Sequence, residues 1–158
     1  MPNEASHLSL ANHNQDLLDK LVAEIDAFPD WAATVAFYKA LHVVEAVFAC
    51  ENPARHGADH PTRERVLKSD KKYEHIYRNY RVLYAASMVA RYMQDDRTNF
   101  SDYLTPQRVV DELLKHRLHE VEKSAAKRMR SPDRLTTIAS RLPSPPPASP
   151  TAGSSAAT

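Results

Sequence analysis

Three stretches of the chain hold the residues able to do chemistry. In WAATVAFYKALHVVEAVFAC, Trp31 to Cys50, the side chains of Tyr38, His42 and Glu45 fall on one line of a helix. His42 and Glu45 stand one helical turn apart, so an imidazole and a carboxylate can meet there. In HPTRERVL, His60 and Arg63 repeat that spacing with an imidazole and a guanidinium. In YEHIYRNYRVLYAASMVARY, Tyr73, Tyr77, Tyr80, Tyr84, Ser87 and Arg91 form a tyrosine ladder that ends in an arginine. An arginine on an apolar line needs an acid or a wet cleft, because burying it unpaired is costly. Glu45 is the expected partner of Arg91. Two readings stay open. One is a satisfied core histidine with a Glu45–Arg91 pair that fixes helix register. The other is a polar cleft between these two helices, with His42, Glu45, His60, Arg63 and Arg91 as its candidate residues and Tyr38, Tyr80 and Tyr84 lining it.

The elements that must position these groups read as helices throughout. Only two glycines occur, and no long alternating pattern suggests strands. The pattern predicts an all-α protein, an antiparallel helical bundle of about five helices in a single domain over residues 13–142. Residues 1–12 are expected to fray. A first helix is predicted from Asn14 to Phe28 on the spacing of Leu17, Leu18, Leu21, Val22 and Ile25, ended by Pro29. Asp30 should cap a second helix reaching Cys50, apolar nearly all round and therefore central. A loop, ENPARHGADH, leads to a short third helix with Pro61 in its first turn and His60 at its cap. The tyrosine helix should run from Asp70 to Gln94. A fifth helix should run from Thr105-Pro106 to Arg130, apolar at Val110, Leu113, Leu114, Leu118 and Val121, with a short turn following to Leu142. The tail PSPPPASPTAGSSAAT, residues 143–158, has the composition of a disordered segment.

Charge is uneven although the net value is only +1. Residues 1–50 carry two bases against seven acids, 51–100 ten against seven, and 101–158 nine against six, which gives −5, +3 and +3. A basic second half suits an anionic partner and equally suits a solvated surface. One cysteine, Cys50, cannot form an internal disulfide. No charged-then-apolar leader opens the chain, and Lys39, His42 and Glu45 interrupt its greasiest segment. A cytoplasmic protein without membrane contact is the expectation. Glu112, His116, His119 and Glu120 share a helix face with metal-ligand spacing, but that face lies opposite the apolar stripe. With neither a cysteine pair nor a glycine-rich phosphate loop, no metal and no cofactor are expected.

FYKALHVVEAVF resembles the aromatic-Tyr-x-Ala-x-His helix of HEPN domains, small all-helical nucleotide-binding and ribonuclease modules. HPTRERVL and YRVLYAASMVARY resemble the His-x-x-Arg segment and closing helix of a small bacterial group within that superfamily. The resemblance spans about Asp30 to Tyr92. It implies an antiparallel bundle, a homodimer, and one of two roles: a binding module for RNA, a nucleotide or a partner protein encoded nearby, or a metal-independent ribonuclease of toxin or defence type. A purely structural dimer without a ligand is the third reading. In the ribonucleases an arginine is followed about four to six residues later by a histidine that acts as acid or base. In RNYRVLY, Leu83 stands where that histidine would be. Arg55-His56-x-x-x-His60 meets the spacing within a loop. The catalytic candidates are therefore His60, Arg63 and Arg55.

Overall fold

The computed structural model describes residues 1–92 and 100–142, and every regular element among them is helical. Helix α1 spans Glu4–Ala23, α2 Pro29–Ala49, α3 His60–Ser69 and α4 Glu74–Tyr92, the last entered through a 3-10 turn at Lys71–Tyr73. After a short α5, Phe100–Tyr103, a rod runs from α6, Pro106–Arg108, through a π-helical stretch, Val109–Leu118, into α7, His119–Ala126. Two 3-10 turns, Pro132–Arg134 and Ile138–Ser140, follow it. The tail 143–158 lies outside the described residues, as do residues 93–99.

The N-terminus departs from the sequence reading. It does not fray before residue 13: α1 begins at Glu4, where the Asn3 side chain accepts the Ser6 N–H at 2.9 Å. Leu8, Ala11, Gln15 and Leu18 recur at helical spacing and are buried against α2. Leu17, counted as apolar face on its type, is exposed, because the buried line passes through Leu18. Pro29 opens α2 instead of merely ending α1, which has already stopped at Ala23. No side chain caps α2, and Asp30 lies in its first turn, favourable to the helix dipole.

Helix α2 is the axis of the bundle. It packs on α1, α4 and the α6–α7 rod and is buried along nearly its whole length. By length and composition alone it could cross a bilayer, with a mean hydropathy of 1.4, yet 83% of that apolar window is inside the bundle. Lys39 and Glu45 lie within the run, and each is buried with its own partners.

Lys39 is sealed. Its ammonium meets the Glu122 carboxylate of α7, the Gln15 amide oxygen of α1 and, at 2.8 Å, the Thr136 carbonyl. Glu122 Oε2 accepts the Ile138 N–H at 2.8 Å, while Oε1 faces the ammonium without a well-angled hydrogen bond. Burial pulls the Lys39 ammonium down and pushes the Glu122 carboxyl up, against their mutual attraction. The pair thus ties the segment after α7 back onto α1 and α2.

In the rod, Val109, Leu113, Leu114, Leu118, Val121 and Ala125 form the buried face. The predicted Val110 is only partly buried, because the wider i→i+5 register turns Val109 inward. Glu112 pairs with Arg108 at 2.8 Å and Glu120 meets His75 Nε2 at 2.7 Å, so both carboxylates of the face with metal-ligand spacing have side-chain partners.

Candidate polar site around Glu45 and His60

Helix α2 places Tyr38, His42 and Glu45 on one line. The loop that follows folds back so that the start of α3 faces that line. Asp59 caps α3 by accepting the Thr62 N–H at 2.7 Å, which orients Arg63 inward one turn later. Glu45 is 1% exposed, and its carboxylate is fully engaged. Oε1 accepts Arg63 Nε at 2.6 Å, Oε2 accepts His56 Nδ1 at 2.8 Å, and the Gly57 N–H reaches both oxygens at 3.2 Å. Arg63 Nη2 donates to the Gly57 carbonyl at 2.6 Å. One ion pair therefore grips a single residue, Gly57, by both its main-chain N–H and its carbonyl. A β-carbon on Gly57 would lie 2.7 Å from Arg63 Cβ and 2.7 Å from Glu45 Oε1, so only glycine fits.

This geometry corrects the expected Glu45–Arg91 pair: Arg63, on α3, is the cation that Glu45 takes. Periodicity puts Glu45 and Arg91 on the facing lines of their helices but says nothing of the loop that brings a nearer guanidinium.

Two further histidines complete this inner cluster. His7 of α1 approaches His42 with their Nδ1 atoms 3.3 Å apart, so one ring N–H donates to the other ring. The His7 ring also stacks on His56, centroids 6.4 Å apart at 25°. His7, Glu45 and His56 each present a ligand atom within 4.8 Å of the others. Burial is the main cause that pulls the His7 and His42 pKa values down, against the Glu45 carboxylate; the field of His56 adds to it at His7 and that of His7 at His42.

The second cluster lies on the other side of Phe37. The Phe37 ring packs on Tyr80 at 5.6 Å, Tyr84 at 5.3 Å and His60 at 5.6 Å, and so fills the space where a cleft between α2 and α4 was expected. His60 rests on Tyr84, centroids 5.3 Å apart, with Nδ1 3.4 Å from Arg63 Nη1. Burial first, then the charges of Arg63 and Arg91, hold its pKa below the usual histidine value. Arg91 Nη1 donates to the Tyr38 hydroxyl at 3.0 Å and Nε to the Ser87 carbonyl at 3.2 Å. Its guanidinium lies over the Tyr38 and Tyr92 rings, 5.5 and 5.0 Å from their centroids. Among the described residues no carboxylate pairs with it.

The tyrosine ladder divides along its length. Tyr73 is fully buried against Phe48 and donates to Glu51 at 2.6 Å; burial and that acceptor push its phenol up to about 12. Tyr77 donates to Glu64 at 2.9 Å. Tyr80 is 4% exposed, and burial pushes its phenol up. A crevice between α3 and α4 is lined by His60, Glu64, Tyr77, Tyr80, Arg81 and Tyr84, and holds hardly more free space than a water molecule needs.

The candidate residues thus separate into two sets. His42, Glu45 and Arg63 meet in the inner cluster. Tyr38, His60, Tyr80, Tyr84 and Arg91 lie around Phe37, and the Arg63–His60 contact joins the sets. Arg55 is exposed in the loop, held by its backbone N–H on the Phe48 carbonyl at 2.9 Å, and touches neither His60 nor Glu45. Sequence reading missed His7, whose segment was taken as frayed, and Gly57. The signal for His7 was present: Asn3 as a cap, followed by Leu8, Ala11, Gln15 and Leu18 at helical spacing.

No family model matches the chain, and no curated protein or solved structure matches it.

Proposed function

We propose that the chain is a HEPN-like binding module that takes an anionic ligand, RNA or a nucleotide, on the face of α3 and α4 carrying His60, Arg81, Tyr84 and Arg91. One observation carries this reading. His60 stands on an aromatic ring, flanked by the charges of Arg63 and Arg91, with no carboxylate in hydrogen-bond reach among the described residues. Ring faces stack on bases and guanidinium groups pair with phosphates. The crevice is too small to enclose a nucleotide, so the ligand lies along the surface with its phosphate at the cationic groups. The resemblance of FYKALHVVEAVF to the HEPN helix supports the same class, and with it a homodimer. The exposed Phe28 and Trp31 at the start of α2 are the apolar groups such an association would cover.

The ribonuclease alternative draws on His60 as acid or base, but its arginine is poorly supplied. Arg63 is held by Glu45 and Gly57, and Arg55 stands apart. A binding role therefore fits the site better than cleavage.

The test is fluorescence anisotropy of labelled single-stranded RNA and of a labelled nucleotide, run with a metal-free cleavage assay on the same RNA. Saturable, salt-sensitive binding is expected, weakened about tenfold or more by His60→Ala or Arg91→Ala with the melting temperature unchanged. Absence of binding to either probe would overturn the proposal. RNA cleavage that drops by about 10²–10⁴ in His60→Ala would replace it with the nuclease.

A further inference from the structure

We propose that His7, His42, His56 and Glu45 form a binding site for one transition-metal dication of the zinc class. Three imidazoles and one carboxylate are a donor set that zinc and its neighbours take readily, and calcium and magnesium do not. The donors come from three separate parts of the chain: α1, two turns of α2, and the loop before α3.

The spacing fits. His7, Glu45 and His56 have ligand atoms within 4.8 Å of one another, and His42 Nδ1 is 3.3 Å from His7 Nδ1. A tetrahedral ion with bonds of about 2.0–2.1 Å sets its ligands about 3.3 Å apart; the His7–His42 pair has that separation, and the His42 ring must turn toward Glu45 and His56 to complete the set. His56 Nδ1 and Glu45 Oε2, at 2.8 Å, form a second edge that must open by about half an ångström. Loading exchanges two hydrogen bonds for coordinate bonds: each ligating imidazole gives the lone pair of one ring nitrogen to the metal and keeps its proton on the other.

The surroundings are those of a built site. Arg63 Nε at 2.6 Å and the Gly57 N–H fix the carboxylate while Oε2 turns to the metal, as outer-shell donors do in metal centres. His7 and Glu45 are buried, and the His56 side chain is 36% exposed, so the ion has a way in. The site uses none of His60, Arg81, Tyr84 or Arg91, and stands or falls independently of the anion-binding face.

The experiment uses full-length protein without a polyhistidine tag, stripped with EDTA and titrated with Co²⁺ and then Zn²⁺. One equivalent of Co²⁺ should bind and give the visible ligand-field absorption of a four-coordinate, thiolate-free site. Zn²⁺ should displace it and raise the melting temperature. His56→Ala removes a partly exposed ligand and should weaken binding by about 10–100-fold or more, with the apo protein still showing the helical circular dichroism of wild type. His42→Gln should weaken it as well. Failure to bind one equivalent saturably would overturn the site. So would binding that survives His56→Ala and His42→Gln, or binding lost instead on His116→Ala with His119→Ala.

Discussion

Two buried ion pairs sit on α2 about one and a half turns apart, and they are built alike. Lys39 and Glu122 hold Thr136 and Ile138 by their backbone groups. Glu45 and Arg63 hold Gly57 the same way. Each pair fastens a non-helical segment to the central helix by satisfying main-chain groups that a loop would otherwise leave without partners. They differ in what surrounds them. The first is closed, with side chains 0% and 1% exposed, and every neighbour is used. The second opens toward solvent through His56 and is ringed by imidazoles. The sealed pair is an anchor and nothing more. The open pair has imidazoles for neighbours, and the proposed metal site is built on them.

The largest effect should come from breaking the sealed pair. Lys39→Met strands Glu122 and should cost about 3–5 kcal/mol in urea unfolding. Adding Glu122→Leu should regain most of it, because a buried pair is replaceable by apolar volume. A loss below 1 kcal/mol for the single change would mean that water reaches Glu122, and the contrast between the two pairs would fail.

Gly57→Ala tests the open pair through its tightest contact. The new methyl would meet Arg63 Cβ and Glu45 Oε1 at 2.7 Å, so a cost of about 1–3 kcal/mol is expected. A neutral result would show that the loop can move away from the pair. Asn3→Ala asks whether the N-terminal turn matters to the cluster. Loss of the cap should cost about 1 kcal/mol and speed amide exchange around His7.

The smallest effect concerns pH. Burial and neighbouring cations hold His60 below its ordinary value near 6.5, so the unfolded chain takes up its proton more readily than the folded one. Its contribution is present above about pH 6.5 and is lost as pH falls through the folded value. A melting-temperature profile should therefore decline on the acid side of 6.5, less steeply in His60→Gln. Identical slopes would place the acid sensitivity elsewhere.

Much of the fold was legible because helices announce themselves locally. Two glycines, Pro61 at a helix start, and apolar spacing in α2 and α4 predict an all-α bundle with α2 at its axis. The line Tyr38, His42, Glu45 is equally local, being a property of one helix. The start of α1 is legible too, in Asn3 as a cap and in Leu8, Ala11, Gln15 and Leu18 at helical spacing, although the polar residues around Asn3 also look like a free end. Val110 was misplaced because a π register cannot be read from a 3.6-residue period.

The sequence by itself determined that the chain is helical, which faces of α2 and α4 carry the chemistry-bearing groups, and that Lys39 and Glu45 interrupt the apolar run of α2. Tertiary structure alone decided which partner each charge takes. Glu45 has Arg63 and not Arg91, and Lys39 has Glu122, because partner choice depends on how loops return and how helices cross. Those distances are long in sequence and short in space, and no local period encodes them. The same holds for His7 and His56, which lie 49 positions apart in the chain yet stack ring on ring across the open pair.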